Sequence, residues 1–241
     1  MTAPSLFRMS LPSNLSLMGG TVPVRVSTHP RARRMALRID PQGEAVDLVL
    51  PPRSSLPRAL AFLDANRSWL ERRLEALPPR TAFAEGALVP VLGVPHLIRR
   101  VEESRGRGPV WIEAQEILVA GDPAHLARRV RDHLRERARR ELLARSRRLA
   151  ETIGRKVVRV SVRDTRTRWG SCSSKGNLAF SWRLILAPEA VLDYVVAHEV
   201  AHLAHMNHGK RFWRLVEKLA PDAGRQRLWL NRNRSQLLRI G

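Results

Sequence analysis

The chain has 241 residues, of which 44% are hydrophobic and 27% charged, so it can form one large domain or two small ones and is not intrinsically disordered. Its 43 Lys and Arg residues against 22 Asp and Glu residues give a formal net charge of +21. Such a charge would attract nucleic acid, nucleotides or anionic lipid. Codon usage in a GC-rich genome would also produce an arginine-rich composition, so both explanations stay open.

The single cysteine and the lack of long apolar runs limit the cellular context. Cys172 cannot form an internal disulfide, which excludes a disulfide-stabilised secreted fold and favours the cytoplasm. No run of about 18 apolar residues predicts a membrane-spanning helix. Residues 1–20 are predicted to be a flexible tail, because Arg8, Pro12 and Asn14 interrupt their apolar character and no signal-peptide pattern is present.

Residues 21–121 are predicted to form a β-rich region of strands, one helix and further strands, ahead of a catalytic domain over 122–241. Apolar segments on either side of a turn predict a hairpin, and leucines at near-helical spacing predict a helix whose leucines lie in the core. The predicted elements are a hairpin of 35–39 and 45–50, a helix over 56–77, strands over 87–101 and 110–119, and a solvated loop over 102–108.

A long basic helix is predicted next. Asp122 followed by Pro123 is a strong helix start and Gly154 a stop, so one helix of about 46 Å, at about 1.5 Å per residue, is expected over 123–153. Ten arginines lie between Arg128 and Arg148. Such a helix could bind a phosphate backbone, although a solvated charged face is the commoner interpretation.

Two strands and two helices are predicted after Gly154. Alternating valines from Val158 to Val162 predict one strand and residues 177–186 a second, which together suggest a hairpin with a turn at 174–176. Pro188 opens a helix that carries the histidine motif. A short helix over 210–219 is expected to bury Phe212, Val216 and Leu219.

Four of the eight histidines fall between Ala197 and Gly209, and they begin with the pattern H-E-x-x-H. On a helix His198 and His202 are one turn apart on one face, so both imidazoles can reach one tetrahedral Zn²⁺. Glu199, rotated by about 100°, lies beside the metal and can act as general base. The metal lowers the pKa of a bound water toward roughly 7 and polarises a carbonyl, which indicates a zinc-activated water in hydrolysis.

A third metal ligand must come from downstream of the motif. Geometry favours His208, because Asn207 and Gly209 can adopt left-handed backbone angles and turn the chain back toward the metal. On a continued helix His205 would stand about 10 Å along the axis from His198, too far for a shared ion. His205 and Glu217 remain alternatives.

Four segments of the chain resemble a known family. They are T-R-W-G-S-C-S-S-K-G-N-L from Thr167, W-R-L-I-L-A-P from Trp182, Y-V-V-A-H-E-V-A-H-L from Tyr194 and N-H-G-K-R-F-W from Asn207. They are similar to the YgjP-like metal-dependent hydrolases, predicted metallopeptidases with a distant similarity to the SprT and Spartan proteases. The resemblance covers roughly residues 22–240, is strongest from Arg163 onward, and departs from the family at Ser181, where Asn is expected.

This resemblance implies an α+β fold of the zincin type, with His198, His202 and His208 as zinc ligands and Glu199 as catalytic base. Trp169, Gly170, Ser171 and Cys172 are expected to lie between the hairpin strands and to line a substrate cleft. The alternative is a turn whose Trp packs on the motif helix, with Cys172 as nucleophile or ligand less favoured. Tyr194 and Trp213 are expected to be core residues.

Three functions are compatible with the sequence. The leading hypothesis is a zinc metallopeptidase acting on a protein or peptide substrate, which could be attached to nucleic acid. The second is a metal-dependent phosphoanhydride hydrolase acting on nucleotides, since arginines suit phosphate binding. The third is a nucleic-acid-binding protein with structural zinc, which an open three-histidine site disfavours.

Overall fold

The computed structural model describes residues 14–17, 20–40, 42–104 and 106–241, and these form a mixed α+β structure. The strands are β1 Asn14–Leu17, β2 Gly20–Thr28, β3 Ala36–Ile39, β4 Val46–Leu50, β5 Leu88–Val91, β6 Val94–Val101, β7 Val110–Glu113, β8 Glu116–Ala120, β9 Arg159–Arg163, β10 Gly170–Cys172 and β11 Asn177–Ser181. The helices are α1 Leu56–Ala65, α2 Arg67–Glu75, α3 Leu126–Thr152, α4 Glu189–Ala201, α5 Lys210–Leu219, α6 Ala223–Arg232 and α7 Arg234–Leu238.

The chain divides into two compact units, Met1–Pro78 and Pro79–Gly241. The sequence analysis placed the boundary at 121/122 instead, because a helix start signal stands there. Strands β5 to β8 belong to the second unit, since their apolar side chains share a core with α3. A helix start marks a local change of structure, whereas a compact unit is defined by packing between distant segments.

The first unit contains a four-stranded sheet in the order β1-β2-β4-β3. The hairpin of β3 and β4 is confirmed, with Ala36 opposite Val49 and Ile39 opposite Val46. Asn14–Leu17 pairs with β2 as β1, so this part of the predicted tail is a strand, while 1–13, 18 and 19 lie outside the described residues.

The single helix predicted over 56–77 is wrong in one respect, because it is interrupted at Asn66. The Asn66 side chain donates to the Phe62 carbonyl at 2.8 Å, a local bond that competes with continued helix. Its leucines are also not uniformly in the core: Leu63 and Leu70 are buried, but Leu60 is exposed.

The second unit begins with the sheet β5-β6-β8-β7, which consists of two hairpins joined by a parallel pairing of β6 with β8. Helix α3 follows, after a short 3-10 turn at Pro123–His125 that Asp122 caps by accepting from the Ala124 N–H at 2.8 Å. Gly154, with φ of +63°, follows its end. Asp122 and Gly154 therefore mark the two ends of this helical segment, as the sequence predicted. The loop predicted over 102–108 contains Arg105, which lies outside the described residues.

The third sheet has the order β10-β11-β9, and its topology corrects the sequence analysis. Strand β9 pairs with β11 in parallel, so these two strands are not a hairpin. The hairpin is formed by β10 and β11, and Gly170–Cys172 is itself a strand, whereas it was expected to lie between strands. Apolar alternation does not reveal which strands pair, because pairing depends on long-range packing. Residues Trp182–Leu186 form a 3-10 helix after β11.

Helix α4 lies at the centre of the second unit and contacts α3, α5, α6 and β10. Helix α5 has the predicted bounds, and it buries Phe212 and Val216 completely, with Leu219 half-buried. None of the helices among the described residues combines the length and apolar character that crossing a membrane demands.

Candidate metal centre

The histidine motif lies at the carboxyl end of α4. This helix is buried on almost all sides, since Val191, Leu192, Val195 and Val196 are all at most 4% exposed. Ala201 is its last residue, and His202 follows with helical angles of φ −65° and ψ −21°. His198 and His202 therefore keep the one-turn spacing that the sequence predicted.

His208 returns to the same point from the loop before α5. One ring nitrogen from each of His198, His202 and His208 lies within 4.8 Å of the others, and the Nε2 atoms of His198 and His208 are 3.2 Å apart. A further turn continues from Ala201 to His205, whose N–H donates to the Ala201 carbonyl at 2.9 Å. Neither Asn207 nor Gly209 has a positive φ, so the predicted left-handed turn is wrong. Gly209 instead has φ of −75° and extended ψ.

The other two candidate ligands lie elsewhere. His205 contributes its backbone carbonyl, which accepts from His202 Nδ1 at 3.1 Å. Glu217 Oε1 accepts from the Asp222 N–H at 3.1 Å. Among the described residues, neither side chain belongs to a group of three potential ligands.

Two aromatic side chains of α5, Phe212 and Trp213, pack against the histidine rings. The ring of Phe212 lies 4.9, 4.5 and 4.7 Å from those of His198, His202 and His208. Trp213 lies 5.7 and 5.8 Å from His198 and His208. The sequence analysis assigned Phe212 and Trp213 to the core only. Their position four and five residues after His208, at the start of a helix, was the available signal for this supporting role.

Local bonding and burial favour neutral imidazoles with lone pairs available. The bond from His202 Nδ1 to the His205 carbonyl leaves Nε2 as acceptor. Burial, with the neighbouring His202 and His208, lowers the pKa of His198 to about 4. Burial likewise lowers the pKa of His202. Neutral imidazole is the form that binds a metal.

The spacing fits a tetrahedral zinc site. Ligand nitrogens at about 2.05 Å from one ion stand about 3.3 Å apart, and the His198 and His208 Nε2 atoms are separated by 3.2 Å. His198 Nδ1, the ring nitrogen on the side away from His208, is buried with no hydrogen-bond partner among the described residues, so Nε2 is the atom of this ring that is placed to bind an ion. Three imidazole nitrogens within 4.8 Å of one another suit a divalent cation.

Glu199 points toward β10 instead of joining the histidine cluster. A Cβ added at Gly170 would stand 2.5 Å from Glu199 Oε1, so only glycine leaves room for the carboxyl. Glu199 is 6% exposed, and burial raises its pKa to about 7, opposed by the nearby Arg168. A carboxyl with this pKa can both accept and donate a proton near neutral pH.

The segment expected to line a cleft has one member beside the site. Gly170 contacts Glu199, but Gly170 and Ser171 line a cavity of only about 20 Å³. Burial, followed by the charge of Glu199, raises the pKa of Cys172 to about 11, so its thiol is protonated and a poor nucleophile or ligand. Trp169 packs half-buried against the core.

A larger depression lies next to His208, at the start of helix α5. It has a volume of about 710 Å³ and is lined by His208, Lys210, Trp213 and Arg214 among others. Ser181 is completely buried, and its N–H donates to the Trp169 carbonyl at 2.9 Å.

Two comparisons with known proteins found a similarity. Residues 33–233 match the model of a family described as YgjP-like, metallopeptidase domain. Among solved structures, the crystal structure of the metallopeptidase zymogen of Pyrococcus abyssi abylysin is 22% identical, with a TM-score of 0.35, and the match covers 38% of this chain and 93% of that one. No curated protein sequence matches the chain.

Proposed function

Because this chain belongs to the YgjP-like metallopeptidase domain family, we propose that it is a zinc-dependent peptidase with a zincin-like centre. His198, His202 and His208 hold the ion, and Glu199 is the general base. The observation that carries this proposal is the convergence of three imidazole nitrogens within 4.8 Å, at the end of a helix that also buries the carboxyl of Glu199, the residue after His198. Three protein ligands, where a structural zinc site has four, leave a position open for reaction.

Each residue has a distinct task in this mechanism. A zinc ion held by the three histidines supplies Lewis-acid polarisation of a carbonyl and activates water. Glu199, whose pKa burial raises to about 7, takes a proton from the attacking water and returns it to the leaving amine. Phe212 holds the imidazole rings by contact with all three. Gly170 gives the carboxyl the space to stay at this position.

An extended peptide suits the surroundings of Glu199. Strand β10 is the outer strand of its sheet, so one row of its backbone N–H and C=O groups is not used by sheet pairing among the described residues. Such an edge can accept a peptide as an added strand. Since Gly170 belongs to β10 and contacts Glu199, a peptide paired there would run past the general base.

Metal content and peptidase activity of purified full-length variants test the proposal. We expect about one zinc per chain in wild type and in Glu199→Gln, and loss of zinc in His202→Ala. His205→Ala is the matched control: it removes a neighbouring imidazole but retains the carbonyl that orients His202, so it should keep zinc and activity. Glu199→Gln should lower peptide hydrolysis by roughly 10²- to 10⁴-fold.

The same protein distinguishes the alternatives. Zinc-dependent release of phosphate or pyrophosphate from nucleotides, without peptide hydrolysis, would replace the peptidase assignment by a nucleotide hydrolase. Zinc retained with hydrolysis of neither substrate would indicate a structural ion. Full peptidase activity in Glu199→Gln would remove Glu199 from the mechanism.

A further inference from the structure

A second cavity, distinct from the metal centre, lies between β7 and α3 in the second unit. Its volume is about 630 Å³, and none of its lining residues takes part in the histidine cluster. Helix α3 contributes His133, Arg137, Arg140 and Glu141, whose spacing of four, three and one residues places them on one helix face. Arg107 and Trp111 line the opposite side.

The charge of this cavity is not neutralised by the acids of its own helix. Between positions 128 and 148 the acidic residues Asp132, Glu136 and Glu141 each pair with an arginine that lies outside the cavity. The partners are Arg128 at 3.8 Å, Arg139 at 3.0 Å and Arg145 at 3.0 Å. Arg137 and Arg140 form no ion pair within the described residues, so two guanidinium groups three residues apart are available to an anion.

The pKa of His133 is also affected by the positive charge of these two arginines. Its pKa is lowered, first by burial and then by the charges of Arg137 and Arg140. The neutral ring hydrogen-bonds to the Val110 backbone and so joins α3 to β7 on the cavity wall. The acidic residues nearby do not reverse the lowering of the His133 pKa.

Trp111 supplies an apolar, aromatic side to the cavity. Its indole Nε1 donates to Glu113 Oε2 at 3.4 Å, and the same oxygen accepts from Arg107 at 2.8 Å. These bonds orient the half-buried indole. An aromatic ring opposite two guanidinium groups fits a ligand with a flat base and a phosphate, because bases stack on tryptophan and phosphates accept from arginine.

We propose that this cavity binds a nucleotide unit, with its phosphate between Arg137 and Arg140 and its base against Trp111. A single-stranded nucleic acid and a free nucleotide share this chemistry. The volume accommodates one such unit, since ligand sites of this kind span roughly 300–1,000 Å³. The site is independent of the proposed peptidase centre and does not require hydrolysis.

Fluorescence anisotropy with a fluorescein-labelled oligothymidylate, on full-length protein at low and moderate salt, tests this proposal. The double variant Arg137→Ala/Arg140→Ala is compared with Arg128→Ala/Arg135→Ala. The control removes the same charge from the same helix at exposed positions roughly half a turn from Arg137, which line no part of the cavity. Thermal unfolding of each variant confirms that it is folded.

The cavity variant should bind the strand roughly tenfold or more weakly, and the slope of log affinity against log salt should fall by about 0.7 for the one lost phosphate contact. The control should stay within roughly threefold of wild type, because Arg128 and Arg135 lie outside the cavity and their exposed charges are screened by salt. Trp111→Leu should weaken binding by roughly tenfold with the salt slope unchanged, since stacking carries no charge.

Competition by AMP identifies the source of the ligand. Displacement of the strand by AMP, but not by inorganic phosphate, indicates a site for free nucleotides; resistance to AMP indicates a site that needs a strand. Equal loss of binding in both double variants, unchanged binding in both, or no binding by wild type at low salt would overturn the proposal.

Discussion

Helices α3 and α4 pack against each other, but their ionisable side chains lie in different environments: most of those on α3 reach solvent, whereas His198 and Glu199 on α4 are largely buried. Along α4 nearly every side chain is buried, and burial shifts the pKa of both His198 and Glu199 toward the uncharged form. Along α3 burial is confined to positions four residues apart, from Leu126 to Ala150, and the arginines between them reach the surface. Depth in the structure therefore decides whether an ionisable side chain is shifted toward its uncharged form or stays a solvated charge.

The largest effect is expected at Phe212, whose ring contacts all three histidines. Phe212→Ala should lower the free energy of unfolding by about 3–5 kcal/mol, because a completely buried ring is replaced by a cavity. It should also weaken zinc binding, since all three imidazoles lose the same support. Chemical denaturation and zinc titration measure both quantities.

Leu228→Ala is the control for that variant. Leu228 is 57% exposed on α6, so its truncation should change the stability by less than about 0.5 kcal/mol. Equal destabilisation by the two variants would contradict the assigned role of Phe212.

The contact between the two helices is the next test. Arg145 on α3 donates to Asp193 at 2.6 Å and to Glu189 at 2.7 Å, both on α4, and its own side chain is 12% exposed. Arg145→Met should destabilise the protein by about 2 kcal/mol, less than for a fully buried pair because the carboxylates are partly solvated. Arg147→Met, at an exposed position of α3, should be nearly neutral in the same denaturation series.

A smaller effect on stability, with a larger one on activity, is expected at β10. Gly170→Ala brings a methyl group against Glu199 and should cost about 1–2 kcal/mol while displacing the general base. Peptide hydrolysis should fall although zinc content is kept. Gly224→Ala is the matched substitution, because an added Cβ there meets nothing within 4 Å in helix α6. It should retain full activity.

The smallest effect concerns the pH dependence of stability through His133. Its folded pKa lies below the unfolded value near 6.5, so the neutral ring favours the folded state above about pH 6.5. This contribution is lost as the pH falls below that value toward the folded pKa. His133→Asn should flatten the dependence of unfolding free energy on pH in this window, as measured by denaturation at several pH values. An unchanged dependence would show that neither burial nor the two arginines lower the pKa of His133 in the folded protein.

Part of the fold follows from short-range signals in the sequence. Asp122 and Gly154 flank α3, and the bounds of α5 agree with its apolar spacing, since capping and amphipathic pattern act within a few residues. The break at Asn66 was missed because the leucine spacing continues across it. The parallel pairing of β9 with β11 was missed because alternation of apolar residues does not specify a partner strand.

For the candidate site, helical spacing was enough to predict that His198 and His202 share one helix face, but not that the Glu199 carboxyl points toward β10. Only the folded structure shows that His208, of the three candidates, lies with the other two histidines, that Phe212 contacts all three rings, and that Gly170 contacts Glu199. It also decided which of the α3 arginines face a cavity. These relations join segments that are distant in sequence, so they depend on how the core packs and not on any local pattern.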